Sequence, residues 1–233
     1  MNDKIEHFHS EECASTQTSL KEFIQENPHE ENILFSTLFQ TLGRGRSGNG
    51  WESLDNSLAM SFKIRPNEVM TLTSLELGIL ICQFFESHKL SLKWPNDLLT
   101  VEGLKCGGIL CQGYNQNILV GVGLNLGKSE EIRPNSNFKF GRSCIDSNLV
   151  LKSSQIKEYC SKLYSFIIHN RLSSKEVREK WASYSIHLNK SVLIKDQTIE
   201  ERGVFIGIGE SGEALLNQKG LIKKIYTGSL FLD

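Results

Sequence analysis

Residues 43–50 read Gly-Arg-Gly-Arg-Ser-Gly-Asn-Gly, and residues of these types suit the binding of an anion. Glycines at 43, 45, 48 and 50 free the backbone to take positive φ and to approach a ligand closely. Arg44 and Arg46 add fixed charge and planar donors for a carboxylate or phosphate. Alone, the segment reads more readily as a flexible turn with solvated arginines. A second candidate is Lys93-Trp94-Pro95-Asn96-Asp97. Pro95 forces Trp94 out of the α region. Asn96 and Asp97 are turn formers able to meet a ligand or a hydrated Mg2+, although a plain strand end fits them too. Lys105 precedes Cys106-Gly107-Gly108-Ile109-Leu110. Its ammonium could neutralise a carboxylate and a phosphate together, or lie solvated in a hairpin turn. Gly121-Val122-Gly123-Leu124-Asn125 ends a strand with small residues that leave room for something bulky, or that pack backbone closely.

Local patterns supply the elements that position these groups. Ser15 and Thr16 start a helix that carries Leu20, Phe23 and Ile24 and stops at Asn27-Pro28. Residues 33–39 form an apolar strand that delivers the chain to Gln40. Leu58, Met60, Phe62 and Ile64 alternate, which predicts a strand over about 57–64. Pro66-Asn67-Glu68 opens a long apolar helix to about 87, followed by a short strand into Lys93 and a turn at Glu102-Gly103. A hairpin joins 107–113 to 117–125 through Asn115-Gln116, and 128–148 reads as an irregular polar loop. Helices follow at about 153–169 and 174–185, the second opened by Ser173 and Glu176 in capping-box spacing. From about residue 188, short strands (191–195, 202–208, 213–217, 221–226, 229–232) alternate with turns, the pattern of a small β-barrel. This sets a boundary between a domain over 1–187 and another over 188–233.

Two segments match G-x-G-x-x-G, at Gly43-Gly45-Gly48 and Gly207-Gly209-Gly212. Neither is followed by a helix, as a dinucleotide fold requires. A P-loop is also missing. The chain has 233 residues, a formal net charge of −1 and 23% charged residues, which argues against a general polyanion-binding surface. No apolar run is long enough to span a bilayer, and the N-terminus lacks a signal-peptide core. The six cysteines have no C-x-x-C pair and read as reduced, mostly buried thiols of a cytoplasmic protein. The histidines show no ligand spacing beyond His7-x-His9, which reads as part of a polar N-terminal strand or arm.

Each motif is modest alone, but their order and spacing together resemble the biotin protein ligases from about residue 13 to 126. The motifs are Ser15-Thr16, Gln40-x-x-Gly-Arg-Gly-Arg, Trp51, Lys-Trp-Pro-Asn-Asp, Lys-x-Gly-Gly-Ile-Leu and Gly-Val-Gly-Leu-Asn. The resemblance implies an α/β fold: a mixed, largely antiparallel sheet with packed helices, followed by an SH3-like barrel. It also implies that biotin attacks MgATP to form biotinyl-5′-AMP, which a lysine of a biotin carboxyl carrier protein then attacks. Ser15, Thr16, Gln17 and Gln40 would bind biotin, with Arg44, Gly45, Arg46, Lys105 and Gly108 completing that pocket. Trp51, Lys93, Asn96, Asp97 and Asn125 would serve ATP and the adenylate together with Arg46 and Lys105, with Asp97 on the metal side. Lys105, Arg44 and Arg46 would carry the chemistry.

Gln17 stands where many members have Asn. The loop after Arg46 is less basic than in some relatives, and the chain ends Leu230-Phe231-Leu232-Asp233 without the basic residue some carry there. About a dozen residues precede the first motif, so no winged-helix domain or DNA binding is expected, and the lack of a long apolar run argues against membrane association. Members of the family are often homodimers through the catalytic sheet, which one chain does not display. The alternatives are a lipoate or octanoate ligase or transferase on the same fold and, from a different class, a non-enzymatic nucleic-acid-binding module.

Overall fold

The computed structural model describes residues 5–51, 56–127 and 143–233. Seven strands form the larger sheet: β1 (Glu6–Cys13), β2 (Ile33–Gln40), β3 (Ser57–Ile64), β4 (Ser91–Lys93), β5 (Asp97–Leu99), β6 (Lys105–Tyr114) and β7 (Asn117–Asn125). Their order is β1-β2-β3-β7-β6-β5-β4. Only β1 and β2 pair in parallel; every other neighbour is antiparallel. The expectation of a mixed, largely antiparallel sheet therefore holds.

Side chains alternate across this sheet and divide it into two faces. Leu58, Met60 and Phe62 join Val120, Val122 and Ile109 in the main core, under α2 (Thr73–Phe84), α3 (Ser153–His169) and α4 (Ser174–Tyr184). On the other face Leu20 and Ile24 of α1 (Thr16–Glu26) pack on Ile33 and Leu119. Ser15 caps α1 by accepting from the Thr18 amide. Ser173 and Glu176 form the capping box of α4.

The helix expected from Pro66 starts late. A 3-10 turn spans Met70–Leu72 and the α-helix begins at Thr73. The Asn67 amide donates to Thr73 Oγ1 at 3.0 Å and the Val69 amide to Ser174 Oγ at 3.2 Å. Tertiary partners thus take the donors that a helix beginning at Pro66 would have left free. Glu76 of α2, wholly buried, accepts from Arg171 Nε and Nη2 at 2.6 and 2.9 Å and from the Leu172 amide at 2.9 Å, tying α2 to the α3–α4 turn. Asp97 and Lys105, read as turn residues, instead open β5 and β6. Most of the polar segment expected over 128–148 lies outside the described residues.

The chain then forms β8 (Ser191–Lys195), β9 (Glu200–Ile208), β10 (Ala214–Gln218), β11 (Leu221–Ile225) and β12 (Ser229–Leu232). These make an antiparallel sheet in the order β11-β10-β9-β8-β12. Trp94 reaches across to it, its indole donating to the Gly212 carbonyl at 2.9 Å.

Candidate active site

The α1 face of the sheet has a trough where β3, β7 and β6 run side by side. Register sets Ala59, Gly123 and Gly108 in one row and Ser61, Gly121 and Leu110 in the next. Small side chains at alternate positions leave the floor open, while their neighbours Met60, Val122 and Ile109 fill the core beneath. The floor belongs to a cavity of about 1290 Å³. All the residues proposed from sequence for binding or catalysis line this one cavity: Ser15, Thr16, Gln17, Gln40, Arg44, Gly45, Arg46, Trp51, Lys93, Asn96, Asp97, Lys105, Gly108 and Asn125.

At one end the first turn of α1 overhangs the trough with neutral donors and acceptors. Gln40 Oε1 accepts from the Thr16 amide at 2.9 Å and from its hydroxyl at 3.2 Å. Thr16 Oγ1 also meets Ser61 Oγ at 2.8 Å. Gln17 Nε2 donates to the Leu119 carbonyl at 3.2 Å, which holds its amide oxygen beside Gly121. Ser61 was missed from sequence; it shares the open face of β3 with Ser57, Ala59 and Lys63, and nothing local sets it apart.

Further along the trough is a charged cluster. Asp97 Oδ1 lies 2.5 Å from Lys105 Nζ and Oδ2 lies 2.7 Å from Lys93 Nζ. Burial alone would raise the Asp97 pKa, but Lys105 and then Lys93 hold it below the usual carboxylate range. Asn96 Nδ2 donates to the Ile109 carbonyl at 2.8 Å, and its Oδ1 accepts from Arg46 Nη1 at 3.1 Å. Burial lowers the Arg46 pKa, and Asp97 opposes that shift. Two ammoniums and a guanidinium against one carboxylate leave this end net positive.

The glycine loop folds back on itself between β2 and β3. Arg44 bridges to Gly50, the Gly45 amide donates to the Asn49 carbonyl at 2.7 Å, and a 3-10 turn spans Arg46–Gly48. Gly48 has φ +78°, a conformation that favours glycine. The fold-back delivers Trp51 onto the glycine floor. The Trp51 indole nitrogen and Asn125 Oδ1 are both buried without a hydrogen-bond partner among the described residues, an orphaned donor and an orphaned acceptor in one cavity.

The far rim was not foreseen. Lys195, Asp196, Thr198, Glu200, Ser229 and Phe231 of the second sheet line the same cavity. Lys93 and Lys195 place their ammoniums 5.6 and 5.5 Å from the centre of the Phe231 ring, within cation–π range. Asp196 closes the β8–β9 turn by accepting from Thr198, the Ile199 amide and Thr227. No spacing rule brings these residues to a site built from positions 15–125; only the docking of the two sheets does.

A mixed sheet with a glycine-floored trough, a polar end and a cationic end is an architecture for binding a small acid beside a phosphate. Residues 10–129 match the biotin/lipoate A/B protein ligase family, and this chain belongs to it. Among solved structures, the biotin protein ligase of Aquifex aeolicus in complex with biotin and ATP is similar, with 25% identity and a TM-score of 0.73 over 98% of both chains. The biotin acetyl coenzyme A carboxylase synthetase of Helicobacter pylori with bound biotinylated ATP shares 25% identity, with a TM-score of 0.71 over 95% of this chain and 100% of that one. The Leishmania major biotin protein ligase in complex with biotinyl-5-AMP, 15% identical with a TM-score of 0.65 over 95% and 99%, shares the fold. Comparison with curated protein sequences gave no significant match.

Proposed function

We propose that this chain is a biotin protein ligase: it activates biotin with ATP and transfers it to a lysine of a biotin carboxyl carrier protein. The observation that carries this reading is the cavity itself, with a neutral hydrogen-bonding end joined along a glycine floor to the Lys93–Asp97–Lys105–Arg46 cluster. The biotin and ATP bound in the similar A. aeolicus enzyme favour biotin over the lipoate alternative.

In this reading Ser15, Thr16, Gln17 and Gln40 hold the ureido ring, which both donates and accepts hydrogen bonds. The valeryl chain lies along the trough and brings the carboxylate to Lys105, beside Gly108. A carboxylate oxygen then attacks the α-phosphorus, the bond to the bridging oxygen breaks, and pyrophosphate leaves. Two anions must meet, and Lys105, Arg44 and Arg46 offset their repulsion with charges placed in advance. Gly45 lets the loop backbone lie against the ligand. Adenine suits Trp51 and Asn125, because a purine offers ring-nitrogen acceptors and an exocyclic amine donor for the two orphaned groups. Lys93, Asn96 and Asp97 serve the phosphate side. In the second step the carrier lysine's ε-amine attacks the acyl carbon, loses a proton, and AMP departs.

Among the described residues no three His, Cys, Asp or Glu side chains gather as a metal site. That fits Mg2+ arriving on ATP, held chiefly by phosphates and water, with Asp97 as its protein neighbour. Bound there, Mg2+ supplies charge neutralisation to the phosphates. The catalytic unit in this proposal is residues 1–187, with 188–233 as an appended barrel whose rim closes the cavity. Action in the cytoplasm and a homodimer through the larger sheet belong to the same reading. Among the described residues no helix is long and apolar enough to cross a membrane.

The test is pyrophosphate release with MgATP plus biotin, plus lipoate, or with neither acid. Release with biotin alone, followed by labelling of a carrier domain, is expected. Release only with lipoate would move the chain to the other branch of its family.

A further inference from the structure

His7 and His9 of β1 share one face of the strand, and neither lines the cavity. His7 contacts Ser161 Oγ through Nδ1 at 2.8 Å and Ser36 Oγ through Nε2 at 2.6 Å. His9 contacts the same Ser36 Oγ through Nδ1 at 2.7 Å and Ser153 Oγ through Nε2 at 3.3 Å. A continuous chain therefore runs Ser161–His7–Ser36–His9–Ser153. Its ends lie on α3 and its middle lies on β1 and β2.

A neutral imidazole donates once and accepts once, and a hydroxyl can do both. With both rings neutral, every link is satisfied in one direction: Ser161 to His7, His7 to Ser36, Ser36 to His9, His9 to Ser153. An imidazolium only donates, so with both rings charged Ser36 accepts from both and its own proton loses His9 as an acceptor. Charging both would also place two cations with ring centroids 6.0 Å apart. The charged groups facing them are Lys157, which disfavours protonation of both, and Glu11, which favours protonation of His9. Burial pushes the Cys160 thiol up to about 12 against the opposing effect of its bond to Ser36, so it brings no negative charge.

The end of α3 held by His9 leads directly back to the site. Ser153 follows a segment whose Ser143 amide donates to the Lys105 carbonyl at 2.9 Å and whose Ile145 amide donates to the Asn125 carbonyl at 2.8 Å. Asn125 Nδ2 in turn donates to the Ser143 carbonyl at 3.3 Å, and the Leu151 amide to Asn56 Oδ1 at 3.3 Å.

We propose that the Ser161–His7–Ser36–His9–Ser153 chain is an acid-releasable latch that seats the N-terminal half of α3 and, through residues 143–152, the Lys105–Asn125 part of the cavity. Burial, the neighbouring His9 and Lys157 lower the His7 pKa to about 4, and burial and Lys157 lower that of His9. A lowered histidine stabilises the closed form fully above the unfolded value near 6.5 and progressively less as pH falls toward the folded value. At pH 5.5 the opening equilibrium should rise up to about tenfold through His7, less where water screens the ring, with His9 acting in the same direction.

The inference rests on the proposed function only for its activity readout. The primary measurement, amide hydrogen exchange between pH 7.5 and 5, needs no substrate. After correction for intrinsic exchange rates, protection of 153–161 and 143–151 should fall reversibly below pH 6.5 in the wild type and stay level in His7→Gln/His9→Gln. Biotin-dependent pyrophosphate release should lose its acid limb in the same variant. Should that variant not fold, NMR titration of the wild-type histidines decides: His7 must titrate well below 6.5 and His9 below it. Ordinary titration near 6.5, or protection of α3 unchanged at pH 5, overturns the latch. A working latch in a protein silent with biotin would overturn the functional proposal alone.

Discussion

The indole of Trp51 rests on the bare backbone of Gly123: a β-carbon built there would stand 2.5 Å from Cε2 of the ring and 2.6 Å from Cζ2. No real contact is that short, so any side chain at 123 must lift the indole off the floor. Gly123→Ala should therefore raise the KM for ATP several-fold while leaving the KM for biotin nearly unchanged, because Gln17 and Thr16 lie on the neighbouring row. Initial rates against each substrate separate the two. Equal losses in both would mean that the row does not divide the substrates.

Lys105 sits where charge must be neutralised, with its side chain only 22% exposed and its ammonium on Asp97. Removing one preorganised donor from such a site costs about 3–4 kcal/mol, roughly a hundred- to a thousandfold in rate. Lys105→Ala should lower kcat for adenylate formation on that scale and leave a folded protein, since Lys93 still meets Asp97. Single-turnover adenylation alongside a melting curve tests this. Near wild-type turnover would remove Lys105 from its assigned role.

How far these assignments were legible in the sequence depends on the distance over which each signal acts. Ser15 as a cap, Ser173 with Glu176 as a capping box, and the alternation from Leu58 to Ile64 are local. Each appears as read because a few neighbouring residues decide it. The trough was half legible: the glycines of 121–125 showed available space, but not that Gly108 and Ala59 would line up beside Gly123. The late start of α2 depended on Ser174, about a hundred residues away in sequence. The rim formed by Lys195 and Phe231 depended on how two sheets dock. Long-range pairing carries no periodicity, so a single chain does not display it.

Arg46 makes a bond that spans the trough, 3.1 Å to Asn96, and Asn96 is itself pinned to β6. The loop is thereby tethered to the cationic end. Arg46→Gly removes the tether and a donor together, so biotinyl-5′-AMP should escape before transfer. Gel filtration or rapid ultrafiltration after a single adenylation round should recover much less bound adenylate than in the wild type. Full retention would assign closure of the loop to other residues.

Asp97 gives a pH prediction of the same sign as that of the histidines but in a lower window. Its folded pKa is depressed by Lys105 and Lys93 against its own burial. Its contribution to stability is therefore complete above the unfolded value near 4 and is lost only as pH falls through the lower folded value. Between pH 8 and 5 the cluster should keep its charge, and no part of the activity profile in that range should belong to Asp97. Asp97→Asn leaves two ammoniums without their counter-charge. It should destabilise the fold by about 3 kcal/mol, measured by urea unfolding at pH 7, with the gap to wild type narrowing below pH 4.

Phe231 lies between two lysines from different sheets, and that placement makes a prediction about the phosphates beyond the α position. Phe231 faces Leu193 across the β8–β12 ladder, with Lys195 one row further along opposite Ser229. Ring and ammonium therefore share a face of the strand pair and reach the cavity together. A lysine bonded to phosphate contributes about 1.5–3 kcal/mol, so Lys195→Ala should raise the KM for ATP roughly tenfold or more. Biotinyl-5′-AMP lacks the two outer phosphates, so transfer from supplied adenylate to a carrier domain should proceed at the wild-type rate. Phe231→Leu should follow the same pattern more weakly, because it removes the ring that positions both lysines and leaves their charges in place. Equal damage to adenylation and transfer would instead assign the pair to holding the two sheets together.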